Sequence, residues 1–135
     1  MIHDYLYLVI PIVAVVTSQV VKLATDGIKG NLDIKRIFET YGGMPSSHAA
    51  FVGSLATIVA LEQGITTPLF GTVFVFGVLV LRDALGLRHI ISRQNQTLNA
   101  LHKDAQLPER IHHTLVEVIA GLVLGFVIAL VFRLG

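Results

Sequence analysis

The chain has 135 residues, of which 53% are hydrophobic and 14% charged, and its mean hydropathy is +0.73. A soluble domain carries about 25% charged residues, so this composition marks an integral membrane protein. The formal net charge of +1 excludes the concentrated basic face that nucleic acid requires, and the absence of cysteine excludes disulfides and thiolate sites.

Each membrane crossing needs about 20 residues of helix, so the length provides one domain, residues 1–135, built as a single bundle. The first apolar run, Leu6 to Leu23, follows His3 and Asp4 without a preceding Lys or Arg. It lacks the basic flank of a cleaved signal peptide and reads as a retained span over 5–25, bent near Pro11. The second run, Ala49 to Leu61, is short, so its helix is expected to begin at Ser46 or Ser47 and end near Gly64, giving a span over 46–64. Thr66-Thr67-Pro68 is a cap followed by proline at the first helical position, and it opens a third span over 67–88. Beyond it Leu87, Ile90, Ile91, Gln94, Leu98 and Leu101 recur at helical spacing, which predicts an amphipathic extension of the third helix outside the bilayer. Leu107-Pro108-Glu109 then carries the proline and acid of a helix start, ahead of a last span over 113–133. The expected fold class is therefore all-α, a polytopic membrane helix bundle with about four transmembrane helices and a cytoplasmic helical extension. No internal repeat, low-complexity stretch or flexible linker interrupts it.

Charge placement orients the chain. Lys22, Lys29, Lys35 and Arg36 lie between the first two spans, and Arg82, Arg88, Arg93, Lys103 and Arg110 follow the third. The turn from Glu62 to Thr67 has no basic residue, and the C-terminal end has only Arg133. The positive-inside rule makes both basic segments cytoplasmic and puts both termini on the opposite side. Lys22, the patch from Gly42 to His48, Asp83, Arg88, His113 and Glu117 then share one membrane face.

Two patches carry chemistry. In Gly42-Gly43-Met44-Pro45-Ser46-Ser47-His48 the glycines permit positive φ, the proline stiffens the turn, and the serines offer hydroxyls and amides at a helix N-terminus, where anions bind. His48 is placed to give or take a proton beside such an anion. The plain alternative is a serine cap and an interfacial histidine. In the second patch His113 and Glu117 are four residues apart and share a helix face, so the carboxylate can orient the ring and raise its basicity, as a histidine nucleophile requires. The same face continues through Gly121, Gly125 and Ala129, a small-residue stripe suited to packing on another helix. The alternatives are a helix-end ion pair, and a zinc site drawing on His48 and His112, for which no further acid or histidine lies at matched spacing. No metal and no cofactor is expected.

Pro45-Ser46-Ser47-His48 resembles the Pro-Ser-Gly-His motif of the type 2 phosphatidic acid phosphatases and vanadium-dependent haloperoxidases. His113-x-x-x-Glu117 is similar to the His-x-x-x-Asp that ends that superfamily's third motif. Together with Ser18-Gln19-Val20-Val21-Lys22 and Arg82-Asp83-Ala84-Leu85-Gly86-Leu87-Arg88, they make nearly the whole chain resemble a compact, divergent, acid phosphatase/haloperoxidase-related branch. The resemblance implies metal-independent phosphoryl transfer through a phosphohistidine. His113 would be the nucleophile, Glu117 its orienting partner and His48 the proton donor, with Lys22, Gly43, Ser46, Ser47, Arg88 and Asp83 forming the phosphate site. The chain departs from the superfamily in three places. Lys-x6-Arg-Pro is missing, Ser92-Arg93 stands 20 residues before His113, and glutamate replaces aspartate.

The function expected is a membrane phosphatase acting on a lipid or isoprenoid phosphate, with the substrate tail between helices. Its alternatives are a non-catalytic phosphate- or lipid-binding scaffold, a chain completed by homodimerisation through the Gly121/Gly125 face, and half of a dimeric transporter. One geometric condition follows: rings of His48 and His113 farther apart than about 7 Å could not share one tetrahedral anion hydrogen-bonded to both.

Overall fold

The computed structural model describes residues 5–26 and 43–135. Gly42 of the first patch and the basic residues Lys29, Lys35 and Arg36 fall outside the described residues. Among the described residues the regular structure is all helical: α1 spans Leu6–Asp26, α2 Ser47–Gln63, α3 Pro68–Arg82, α4 Arg88–Leu101 and α5 Leu115–Leu134. A π-helical turn, Asp83–Leu87, joins α3 to α4, so that Pro68–Leu101 forms one continuous helical stretch of 34 residues. Among the described residues three helical stretches, Leu6–Thr25, Pro68–Leu101 and Leu115–Leu134, are long and apolar enough to cross a membrane. At 17 residues α2 sits at the lower edge of the spanning range.

α2 is the central helix, packed against α1, α3 and α5. Small residues allow this. A Cβ on Gly121 would run into the Ser46 carbonyl oxygen and come within 2.8 Å of the Ala49 Cβ, and one on Gly125 would meet the Ala50 carbonyl oxygen and the Ser54 amide. With lipid tails as apolar as any side chain, helices in a bilayer associate through close backbone approach of this kind. The Gly121/Gly125/Ala129 stripe therefore faces the bundle interior, as its spacing predicts. In the single chain it is occupied by α2. α1 contributes Leu6, Ile10, Ala14 and Ser18, one residue per turn, and Leu6 and Ile10 join Ile58 and Ala129 in the buried apolar cluster. Leu8, Val75, Phe76, Val116 and Val123 point outward, as a lipid-facing girdle does.

The helix ends follow local sequence. Ser46 caps α2, and Gly64 ends it with φ 87°. Thr67 caps α3 ahead of Pro68, its Oγ1 accepting from the Phe70 amide. α1 and α3 run toward one end of the bundle, α2 and α5 away from it. At the far end Gln63 donates to the Tyr7 hydroxyl, and Arg133 pairs with Glu62.

Leu107-Pro108-Glu109 does not begin a helix. α5 starts only at Leu115, and the intervening strap is pinned along α4. The Asn99 side chain mimics a backbone partner, donating to the Leu107 carbonyl and accepting from the Leu107 amide, both at 2.9 Å. Asn99 also donates to Glu109, and Asn95 donates to the Pro108 carbonyl at 2.6 Å. Ser92 Oγ accepts from the Ile111 amide at 3.1 Å. These bonds satisfy backbone groups that a helix would otherwise have paired.

Candidate active site

The near end of the bundle gathers the end of α1, the start of α2, the π turn and the strap before α5. Gly43 has φ 97°, a conformation that L side chains rarely adopt, and starts the turn that delivers Ser46 to the head of α2. Ser46 is fully buried. Its amide donates to the Glu117 carbonyl at 2.9 Å, and its Oγ accepts from the Ala49 amide at 3.4 Å. The amide and the cap position of Ser46 thus serve the fold, joining α2 to α5, and not the open site that the sequence suggested for them. Ser47 faces α1, where its Oγ receives Gln19 Nε2 at 3.0 Å and Lys22 Nζ at 3.3 Å. Gln19 carries no charge to single it out and stands in the sequence only as part of the Ser18-Gln19-Val20-Val21-Lys22 segment.

His48 lies on the first turn of α2, with Arg88 Nη2 3.3 Å from its Nε2. A guanidinium only donates, so this ring nitrogen accepts and the proton sits on Nδ1. The same Arg88 reaches Asp83 Oδ2 through Nε at 3.3 Å. Asp83 opens the π turn and Arg88 follows it, and such bulges recur at functional sites because they re-aim side chains. A cleft of about 260 Å³ lined by Asp83, Arg88, Ile91 and Ile111 adjoins this pair.

His113 is 3% exposed, and its amide donates to the Ala84 carbonyl of the π turn at 3.2 Å. Its Nδ1 stands 3.2 Å from Glu117 Oε2. The carboxylate can only accept, so Nδ1 carries the proton and Nε2 keeps its lone pair. Burial pushes the imidazole below its ordinary value, and the Lys22 and Arg88 charges push the same way against the opposing Glu117 bond. The ring is thereby neutral near pH 7. Its centroid lies 6.0 Å from that of His48, inside the limit for a shared anion, with the rings inclined at 59°.

Glu117 is engaged on both oxygens. Oε2 also accepts from the Thr114 amide at 3.0 Å, completing a capping box in which Thr114 Oγ1 accepts from the Glu117 amide. Oε1 accepts from Arg110 Nη2 at 2.8 Å. The Thr114-x-x-Glu117 spacing is a legible capping signature. Arg110 has no such signal, because it is brought to Glu117 by a strap and not by helical periodicity. His112, considered as a zinc ligand, turns instead to Ser92 at 3.2 Å and to the His89 ring. Among the described residues no three metal-ligating side chains converge. Arg93 of the Ser92-Arg93 pair lines an open groove on α4 with His89, Ile90 and Gln94.

The structure thus brings Lys22, Ser47, His48, Arg88, Asp83, His113 and Glu117 to one bundle end, with Ser46 beneath them as the joint. Comparison with known proteins agrees with the motif reading. The chain is 32% identical over 139 residues to the uncharacterized membrane protein YuiD of Bacillus subtilis (strain 168), covering 87% of each chain. No solved structure matches it. The sequence pattern of the Divergent PAP2 family matches residues 4–128, and with the relative and the clustered motifs this places the chain in the Divergent PAP2 family.

Proposed function

We propose that this protein is a membrane-embedded, metal-independent phosphatase for a lipid or isoprenoid phosphate, working through a phosphohistidine on His113. The observation that carries the reading is the opposition of two histidine rings at 6.0 Å, one of them steered by a buried carboxylate. His113 Nε2 attacks phosphorus as the ester P–O bond breaks, and His48, which enters as the imidazolium once Arg88 has turned from its Nε2 to the bound phosphate, gives that proton to the departing oxygen and is left neutral. The charge that spreads over the non-bridging oxygens is met by Arg88, whose planar fork suits phosphate, and by Lys22 with Ser47. Water then attacks the phosphohistidine and gives its proton to His48. Inorganic phosphate leaves, and His113 is regenerated neutral. Glu117 holds the ring throughout and stabilises the positive charge it gains while phosphorylated.

The family assignment and the membrane bundle support this reading at the level of phosphatase-related chemistry. The experiment is hydrolysis by purified protein in detergent or lipid, without added metal, of phosphatidate, phosphatidylglycerol phosphate and polyprenyl pyrophosphates. Turnover of at least one, its inhibition by vanadate and its loss in His113→Ala and His48→Ala are expected. No turnover of any would end the enzyme reading. In its place would stand the non-catalytic scaffold, which keeps the Arg88 to Asp83 and Lys22 to Ser47 contacts without needing a nucleophile.

A further inference from the structure

A cleft of about 450 Å³ runs between α1 and α5, lined by Val21 and Thr25 of α1, Met44 and Pro45, and Ala120, Val123, Leu124 and Val127 of α5. Its walls are almost wholly apolar. Two features tie it to the histidine site. Met44 and Pro45 immediately precede Ser46-Ser47-His48, so the turn that forms the end of the cleft also starts the helix bearing His48. Val21 and Thr25 flank Lys22, whose ammonium sits on Ser47 Oγ. One end of the cleft therefore lies next to a cation suited to phosphate, and Thr25 is the one polar side chain among its described lining residues.

The dimensions fit one hydrocarbon chain. From Ala120 to Val127 the cleft follows α5 for about 10 Å, at about 1.5 Å per residue, which is most of one leaflet of a hydrocarbon core about 30 Å thick. Its volume lies within the range of small-ligand sites, roughly 300–1,000 Å³. Val123 and Val127 are exposed on its outer lip, so a chain can enter sideways from the bilayer.

We infer that this α1/α5 cleft holds the apolar chain of the same phosphorylated amphiphile whose headgroup meets the histidines, an inference that rests on the phosphatase reading for its headgroup. Bilayer lipid is as apolar as the cleft, so little affinity comes from hydrophobic transfer. What the cleft supplies is register. A chain packed along Ala120, Leu124 and Val127 fixes how far the phosphate projects past Pro45, and positioning of that kind acts on the reaction step.

The test is photolabelling in phosphatidylcholine vesicles with a non-hydrolysable long-chain alkyl phosphonate bearing a mid-chain diazirine. The same-chain alcohol serves as the control for bulk lipid contact. Label on Ala120 to Val127 and Val21 to Thr25 from the phosphonate, at least about tenfold above the alcohol, is expected. Val123→Trp, at an exposed position, should fill the cleft and remove most of that excess, while Phe76→Trp on the outer face of α3 should leave it unchanged. Equal labelling by phosphonate and alcohol, or label concentrated on α3, overturns the assignment. Hydrolysis assays separate the two ideas. Cleft labelling without turnover of a long-chain phosphate would retain the cleft and remove the phosphatase, whereas turnover unaffected by Val123→Trp would do the reverse.

Discussion

Glu117 joins the fold to the chemistry at a single side chain. One oxygen orients His113 and closes the α5 capping box, the other holds Arg110, and its carbonyl receives the Ser46 amide. Glu117→Gln keeps the size but loses the acceptor-only character that fixes the His113 tautomer. Turnover should fall by about a hundredfold or more, with a smaller drop in thermal stability. Thr114→Ala separates the two roles, because it removes only the cap, at about 1 kcal/mol. Its signature is a lowered melting temperature with most activity retained. Arg110 is 66% exposed and reaches no residue that would touch phosphate in the scheme above. It is a positioning residue, and Arg110→Ala should lower kcat severalfold with KM unchanged, because only the orientation of Glu117 suffers.

The pH profile follows from the same residues. His113 is held below its ordinary value by burial first, with Glu117 opposing. In the proposed reaction His113 attacks when neutral, so activity is lost as pH falls through this lowered value, and the acid limb should lie below the ordinary histidine value of about 6.5. Removing the opposing carboxylate in Glu117→Gln shifts that limb further down, measured as kcat/KM against pH on a soluble short-chain phosphate. An acid limb that moved upward would contradict the assignment of Glu117 as the group that raises His113 basicity.

At the scale of elements, the glycine pair of α5 decides whether the site assembles. Gly121→Val drives a branched side chain into the Ser46 carbonyl, and backbone at a capped helix start has little freedom to give way. Overpacking typically costs about 1–3 kcal/mol, and here it also separates His113 from His48. Loss of melting temperature and activity together is expected, while Gly71→Ala, which meets open space on α3, should change neither. The α4 ladder of Ser92, Asn95 and Asn99 carries the strap that presents Arg110 and His113. Asn99→Ala leaves both Leu107 backbone groups without their partner, so hydrogen exchange at the Leu107 amide should rise well before that of α5.

Much of this was readable in advance. Thr67-Pro68, Gly64 and the Gly121/Gly125 stripe each act through chemistry local to the residue or its helix face, and each sits where the sequence put it. His113 and Glu117 were legible because four residues is one helical turn. The strap was not, since a proline and an acid at Pro108-Glu109 signal a helix start only when no neighbour competes for their backbone. Asn99 competes. Ser46 stayed ambiguous for a related reason: a serine before a helix reads equally as anion donor or cap, and the Glu117 carbonyl that takes its amide lies 71 positions away in the sequence.

For the whole molecule, the alternation of helix directions places every site residue at one bundle end, so a single loop side determines from which compartment phosphate is reached. The expectation from the positive-inside rule is that this end faces the cytoplasm. The chain has no native cysteine, which makes the test direct. Ile65→Cys in the α2/α3 turn should react with a membrane-impermeant maleimide added to intact cells, and Ala105→Cys in the strap only after lysis. The reverse pattern would put the site on the outer face and redirect the search for substrate to that leaflet. The central claim is narrower and is tested by chemical trapping. Protein mixed with a lipid phosphate labelled at phosphorus and quenched in denaturant should carry label that is stable in base, labile in acid, and located on His113. Turnover without any such adduct, or an adduct that survives in His113→Ala, would contradict it.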